Sequence, residues 1–267
     1  MSANLAASRA LVTGASGGIG EAIVRALHAR GATVVATARR KDVLERLQGD
    51  LGDRVEVLSA DLAEAGDVEA LPERAGRIDI LVANAALPAS GPYDSFSDIE
   101  VDRALDVNLR APIHLARDLA GPMRERGAGH VVFISSLAGK TSSPGSSLYS
   151  ATKFGLRGFA LGLREDLVGT GVGVTTVFPG FIRDAGMFHD SKTELPKGVG
   201  TRTPDQVAAG VIRGIERNRP EVDVAPLGLR LGSMAGGIAP GVVGAAQRKL
   251  GSRDVAAQLA RGQADKR

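Results

Sequence analysis

Cysteine is absent from this 267-residue chain, so it can form neither a disulfide nor a thiolate metal site. Tryptophan is absent as well, and aromatic residues make up only 3% of the chain. The interior must therefore be built from Val, Ile, Leu and Ala. Charge of one sign is also scarce. The formal net charge is +3, with no basic block and no aromatics interleaved with bases, which argues against a nucleic-acid partner. The four histidines (His28, His114, His130 and His189) have no ligand spacing, so no metal is expected. Long apolar runs are missing too. Met1 to Leu5 has no basic stretch leading into one, so the expected compartment is the cytoplasm. Leu231 to Gln247 is apolar but short and broken by Gly232, Gly236, Gly237, Pro240, Gly241 and Gly244, which excludes a membrane span. Packing on the domain or on a subunit partner is the preferred reading of that stretch. A membrane-surface contact through Arg230, Arg248 and Lys249 is a lesser one.

What is present reads as alternating strand and helix. Apolar residues make up 43% of the chain, enough for a substantial core. Strands are expected at Ala10–Val12, Thr33–Thr37, Val55–Leu58, Ile78–Ala83, His130–Ser135 and Val174–Phe178, with a seventh at Val222–Val224. Helices are expected at Gly18–Arg30, Lys41–Leu47, Asp67–Ala75, Asp98–Met123, Ser147–Val168 and Thr203–Arg217, the last capped by Thr203 with Pro204 in its first turn. Continuously apolar strands imply burial on both faces of a parallel sheet. The expected fold is thus α/β: a doubly wound, mainly parallel seven-stranded sheet of the Rossmann type, with helices on both faces. Residues 1–226 would form this domain, with a lid at 181–200. Residues 227–267 would be an apolar extension packed on it, ending in a polar, frayed tail from Gln263.

The turn Thr13-Gly14-Ala15-Ser16-Gly17-Gly18-Ile19-Gly20 lies between the first strand and the first helix. Glycines there let a pyrophosphate approach the backbone, and the helix N-terminus offers free N–H groups. At the end of the second strand, where an NAD site places a carboxylate, stand Ala38, Arg39, Arg40 and Lys41. An arginine can bind a 2′-phosphate that a carboxylate would repel. NADP(H) is therefore the expected cofactor and NAD(H) the alternative, with Arg39 and Arg40 as the phosphate contacts.

Tyr149 and Lys153 are four apart near a helix start and share a face. An ammonium beside a phenol lowers its pKa toward the range useful for acid–base catalysis. Ser136 follows the fifth strand, at the edge where ligands bind in this fold. The run Tyr149-Ser150-Ala151-Thr152-Lys153, with Ser136 upstream and the glycine turn, resembles the short-chain dehydrogenase/reductase family. The likeness extends from about Leu5 to Gly180.

The resemblance implies hydride transfer between an alcohol and a ketone or aldehyde. Tyr149 would be the general acid/base, Lys153 would tune it and contact ribose, Ser136 would orient substrate and Asn108 would relay through water. It implies cofactor contacts from Gly14, Ser16, Gly17, Gly18, Ile19, Gly20, Asp61, Leu62, Asn84, Ala85, Ala86, Val107, Tyr149, Lys153, Pro179, Gly180 and Ile182. It also implies a homodimer or homotetramer. Two positions depart from the family pattern: Ala86 stands for Gly, and Asp184 for a Thr that meets the nicotinamide carboxamide. Ser136, Leu137, Leu148, Phe181, Met187 and Phe188, with Leu195, would wall a mainly apolar substrate. The competing readings are a non-catalytic NADP-binding regulator or scaffold, and an epimerase or dehydratase of the extended type, for whose substrate domain this chain has little room.

Overall fold

A computed structural model describes residues 5–196, 198–249 and 252–264. Seven strands form one sheet: β1 (Arg9–Thr13), β2 (Thr33–Ala38), β3 (Val55–Ser59), β4 (Ile80–Ala83), β5 (Gly129–Ile134), β6 (Val172–Pro179) and β7 (Glu221–Val224). Their order is β3-β2-β1-β4-β5-β6-β7, and every neighbouring pair is parallel. The chain leaves β1 toward β2 and β3, then returns to lay β4 on the other side of β1. This reversal opens a crevice at the C-terminal ends of β1 and β4.

Strand side chains alternate between the two faces. Val12, Val34, Val82 and Val132 face one way, onto α1 (Gly18–Ala29), α2 (Lys41–Leu51) and α8 (Pro204–Glu216). Leu11, Val35, Leu81, Val131 and Phe133 face the other, onto α3 (Ala65–Ala75), α5 (Ala111–Glu125) and α6 (Ser147–Asp166). Both faces are dry, which is why these strands are apolar throughout. The cap of α8 is a reciprocal box: Gln206 N–H donates to Thr203 Oγ1 at 3.2 Å, and Thr203 N–H to Gln206 Oε1 at 3.1 Å.

Three expected regions take a more detailed form. The helix read at Asp98–Met123 is α4 (Asp98–Leu105) and α5 joined through one wide π turn, Asp106–Arg110. The loop 181–200 contains a short helix, α7 (Gly186–Asp190), and its base is clasped by Arg183 N–H to Arg202 O and Arg202 N–H to Phe181 O, both 2.9 Å. The C-terminal region is helical: α9 (Leu227–Ile238), α10 (Pro240–Lys249) and α11 (Ser252–Gln263). Gln263 is not frayed but buried, while residues 265–267 of the expected tail lie outside the described residues, as do 1–4. The outer side of α9 exposes Leu227, Leu231, Met234 and Ile238. Among the described residues, no helix is long and apolar enough to cross a membrane.

Candidate active site

One cavity of about 1120 Å³ runs along the C-terminal edge of the sheet. Its first part is the glycine turn. Gly14 has φ +66°, and a Cβ there would stand 2.7 Å from the Ala85 Cα. A Cβ on Gly20 would collide with the Gly14 carbonyl, and one on Gly18 with the side chain of Ala185. Gly17, the N-cap of α1, supplies no side-chain cap, so the N–H groups of the first turn remain available, as at any uncapped helix start. The turn is tied down from both sides. Ala15 N–H donates to Thr37 O at 3.1 Å, and Thr13 Oγ1 accepts from the N–H groups of Asn84 and Ala85 at 3.0 Å each. Asn84 Nδ2 donates to Thr13 O at 2.9 Å, fastening β4 to β1.

At the end of β2 both arginines line the cavity. Arg40 reaches back to the glycine turn and donates to Ser16 O at 2.7 Å. Arg39 is half-exposed, 3.8 Å from Asp61. Thr37 Oγ1 is buried against this end of the cavity without a partner among the described residues. A cradle without side chains, two cations and an orphaned hydroxyl fit a phosphorylated dinucleotide.

The second part holds the candidate chemistry. Ser136 leaves β5 in an extended conformation, and its Oγ accepts from Ala138 N–H at 3.2 Å. Tyr149 and Lys153 stand one turn apart on α6, and Tyr149 lines the cavity beside Ser136, close enough for the serine hydroxyl to favour the phenolate. Lys153 is 1% exposed; its Nζ donates to Ile134 O at 3.1 Å and lies 5.6 Å from the centre of the Tyr149 ring. Burial pushes the phenol up to about 12, the Ser136 hydroxyl pulling the other way. Burial pushes the ammonium down to about 8. The expected depression of the tyrosine by its lysine is therefore corrected for the free protein: desolvation dominates.

Of the expected site residues, Ser136, Tyr149, Lys153 and all the cofactor candidates from Gly14 to Ile182 line this one cavity. So do Leu137, Phe181, Met187, Phe188 and Leu195. The rings of Phe181 and Phe188 pack at 5.0 Å.

Three positions lie outside the lining, which corrects Leu148 as a substrate wall. Leu148 does not line the cavity, because adjacent helix residues point about 100° apart and Tyr149 takes the inward direction. Asp184, the departure from the family pattern whose effect the sequence left open, is exposed in a left-handed turn (φ 72°) beside Arg183 and does not line the cavity. Asn108 is fully buried outside the lining, and both its polar atoms serve the Leu87 backbone: Oδ1 accepts from N–H at 2.6 Å, and Nδ2 donates to the carbonyl at 3.0 Å. The side chain is thus engaged in holding Leu87. Sequence reasoning also missed the far wall, which α9, α10 and α11 supply through Leu229, Val243, Val255 and Leu259. Their apolar residues at helical spacing were its only signal.

Comparison with known proteins follows the same geometry. The short chain dehydrogenase family profile matches residues 8–196. Nodulation protein G of Rhizobium sp. (strain N33) is 43% identical over 185 residues, 68% of this chain and 76% of that protein. Ketoacyl reductase HetN of Nostoc sp. (strain PCC 7120) is 37% identical over 221 residues, 80% of this chain and 77% of that protein. The closed form of serine dehydrogenase complexed with NADP+ superposes with a TM-score of 0.73 at 31% identity, covering 82% of this chain and 95% of that one.

Proposed function

The chain belongs to the short-chain dehydrogenase/reductase family of oxidoreductases, and from that premise we propose that it interconverts an alcohol and a ketone or aldehyde with NADP(H). The observation that carries this reading is that Ser136, Tyr149 and Lys153 line the same cavity as the glycine turn. NADP(H), when bound, supplies or accepts the hydride. The protein manages the proton. A phenol that titrates near 12 is protonated at neutral pH and can give its proton to a substrate oxygen held by Ser136. Lys153 places positive charge beside the phenolate left behind.

Gly14, Gly18 and Gly20 leave room for the pyrophosphate, and Arg39 and Arg40 would take the 2′-phosphate. Support for NADP(H) comes from these two cations, where an NAD site carries a carboxylate, and from the NADP+ complex of the similar serine dehydrogenase. Phe181, Met187, Phe188 and Leu137 support a mainly apolar substrate. Because α9–α11 wall the same cavity, residues from 227 onward are read as part of one folded unit. The protein would work as a homodimer or homotetramer in the cytoplasm.

The deciding experiment compares NADPH- and NADH-linked turnover over a panel of ketones, aldehydes and secondary alcohols. Tyr149→Phe should abolish turnover and keep NADPH binding. Turnover that survives this change sinks the mechanism. NADPH binding with no turnover by the wild type would favour the scaffold reading instead.

A further inference from the structure

The cavity continues past Tyr149 into a chamber closed by α9, α10 and α11. Every residue these helices turn into it is uncharged. Gly228 and Gly232, one turn apart on α9, line it beside Leu229, and a Cβ added at either glycine would meet nothing within 4 Å. Both glycines are exposed, so they form the open rim of the chamber. Val243 of α10 and Val255 and Leu259 of α11 make the remaining wall apolar.

Four polar side chains interrupt that wall, Ser233, Gln247, Ser252 and Gln263, and two of their atoms, Ser252 Oγ and Gln263 Oε1, are buried without a partner among the described residues. Gln263, 4% exposed, donates from Nε2 to the Met187 carbonyl of α7 at 3.2 Å. That bond fixes the amide, and its Oε1 is left buried without a partner among the described residues. A buried acceptor of this kind is costly until a donor reaches it. Nor is the side chain loosely placed. Glu194 N–H donates to Gln258 Oε1 at 3.0 Å, and Gly262 lies so close to Ser191 that a Cβ would strike its carbonyl. These contacts fasten α11 to the lid.

We propose that this chamber is a distal subsite for an apolar chain that carries a hydrogen-bond donor, a hydroxyl or amide N–H, accepted by Gln263 Oε1. The reacting carbonyl lies at the Tyr149 end of the same molecule, so the subsite rests on the oxidoreductase reading for its orientation.

The test uses methyl ketones of graded chain length in three series, ending in methyl, hydroxyl or primary amide. Binding is measured by calorimetry with NADPH present, and turnover by NADPH consumption. At one chain length a donor-ended ketone should bind about tenfold more tightly than its methyl-ended match. Gln263→Leu should erase that preference. Gly232→Leu, which narrows the rim without touching the amide, should lower kcat/KM for the longest ketones more than for the shortest. Equal binding of all three series by the wild type, as a water resident on Gln263 would give, overturns the subsite. So does a preference that survives Gln263→Leu. A Gln263-dependent preference in binding with no turnover of any ketone leaves the subsite standing and overturns the oxidoreductase reading.

Discussion

Lys153 stands over the ring of Tyr149, 5.6 Å from its centre, and spends a hydrogen bond on the Ile134 carbonyl at 3.1 Å. The ammonium is held inside the protein at a cost. Its folded pKa, about 8, lies below the ordinary 10.5, so the folded state binds fewer protons than the unfolded chain between those values. Wild-type stability should therefore rise as pH climbs from 8 to 10.5, by up to about 3 kcal/mol. Lys153→Met lacks this dependence. Measured by urea denaturation, its stability relative to wild type should be higher at pH 7 than at pH 10, and its turnover should be lost. A difference that does not change with pH would contradict the burial cost.

Tyr149 offers a direct optical check. The chain has two tyrosines and no tryptophan, so phenolate absorbance near 295 nm has little to obscure it. Titration of the free protein should show a step near 12 that disappears in Tyr149→Phe. A step removed by that change at a much lower pH would mean that the lysine, not desolvation, governs the phenol.

The alternation of strands and helices was legible because both faces of the sheet are buried, so every strand announced itself as an apolar run. The candidate trio Ser136, Tyr149 and Lys153 was legible because its spacing survives in linear form. What was not legible depends on direction in space. Leu148 and Tyr149 are neighbours in the chain, yet a helix sends them different ways. Asp184 is near the cofactor residues in sequence, yet a left-handed turn points it outward. Gln263 read as the start of a polar tail because nothing local reveals that Met187 waits for its amide.

Asn108 should behave as a positioning residue for the cavity wall. Asn108→Ala leaves both polar groups of Leu87 without partners in a buried place, a loss of about 2–4 kcal/mol. Leu87 and its neighbours Ala86 and Pro88 line the cavity, so KM for NADPH should rise as well. Denaturant unfolding and initial-rate kinetics would check the two effects. Full stability together with lost turnover would instead restore a direct catalytic role.

Arg39 and Arg40 should separate the two nicotinamide cofactors. Replacing either by Ala should weaken NADPH about ten- to a hundredfold and NADH much less. Arg40 also holds Ser16, so its loss should cost some NADH affinity that the loss of Arg39 does not. Calorimetric titration with each cofactor decides this. Equal losses for both would remove the 2′-phosphate role.

His130 is buried in β5, 2.8 Å from the Thr175 hydroxyl, and burial holds it down at about 3 against an ordinary 6.5. The unfolded chain therefore takes up a proton that the folded state refuses. The stability this contributes is complete above pH 6.5 and drains away as pH falls toward 3, by at most about 1.4 kcal/mol per pH unit. Urea midpoints between pH 7.5 and pH 4.5 should fall less steeply in His130→Phe than in wild type. Parallel slopes would refute the assignment.

The pairing of α1 with α8 sets a timetable for synthesis. Ile23, Val24 and Leu27 of α1 belong to the same cluster as Val207, Val211 and Ile215 of α8, and Arg30 is bonded to Glu216 across the same junction. The helix that opens the glycine turn is thus synthesised nearly two hundred residues ahead of the surface that buries it. Until that surface emerges, the glycine turn rests on a helix with one bare side. The glycine turn is made early relative to α8 and finished only with it, and a nascent chain halted before α8 would expose the apolar side of α1 to chaperones and proteases.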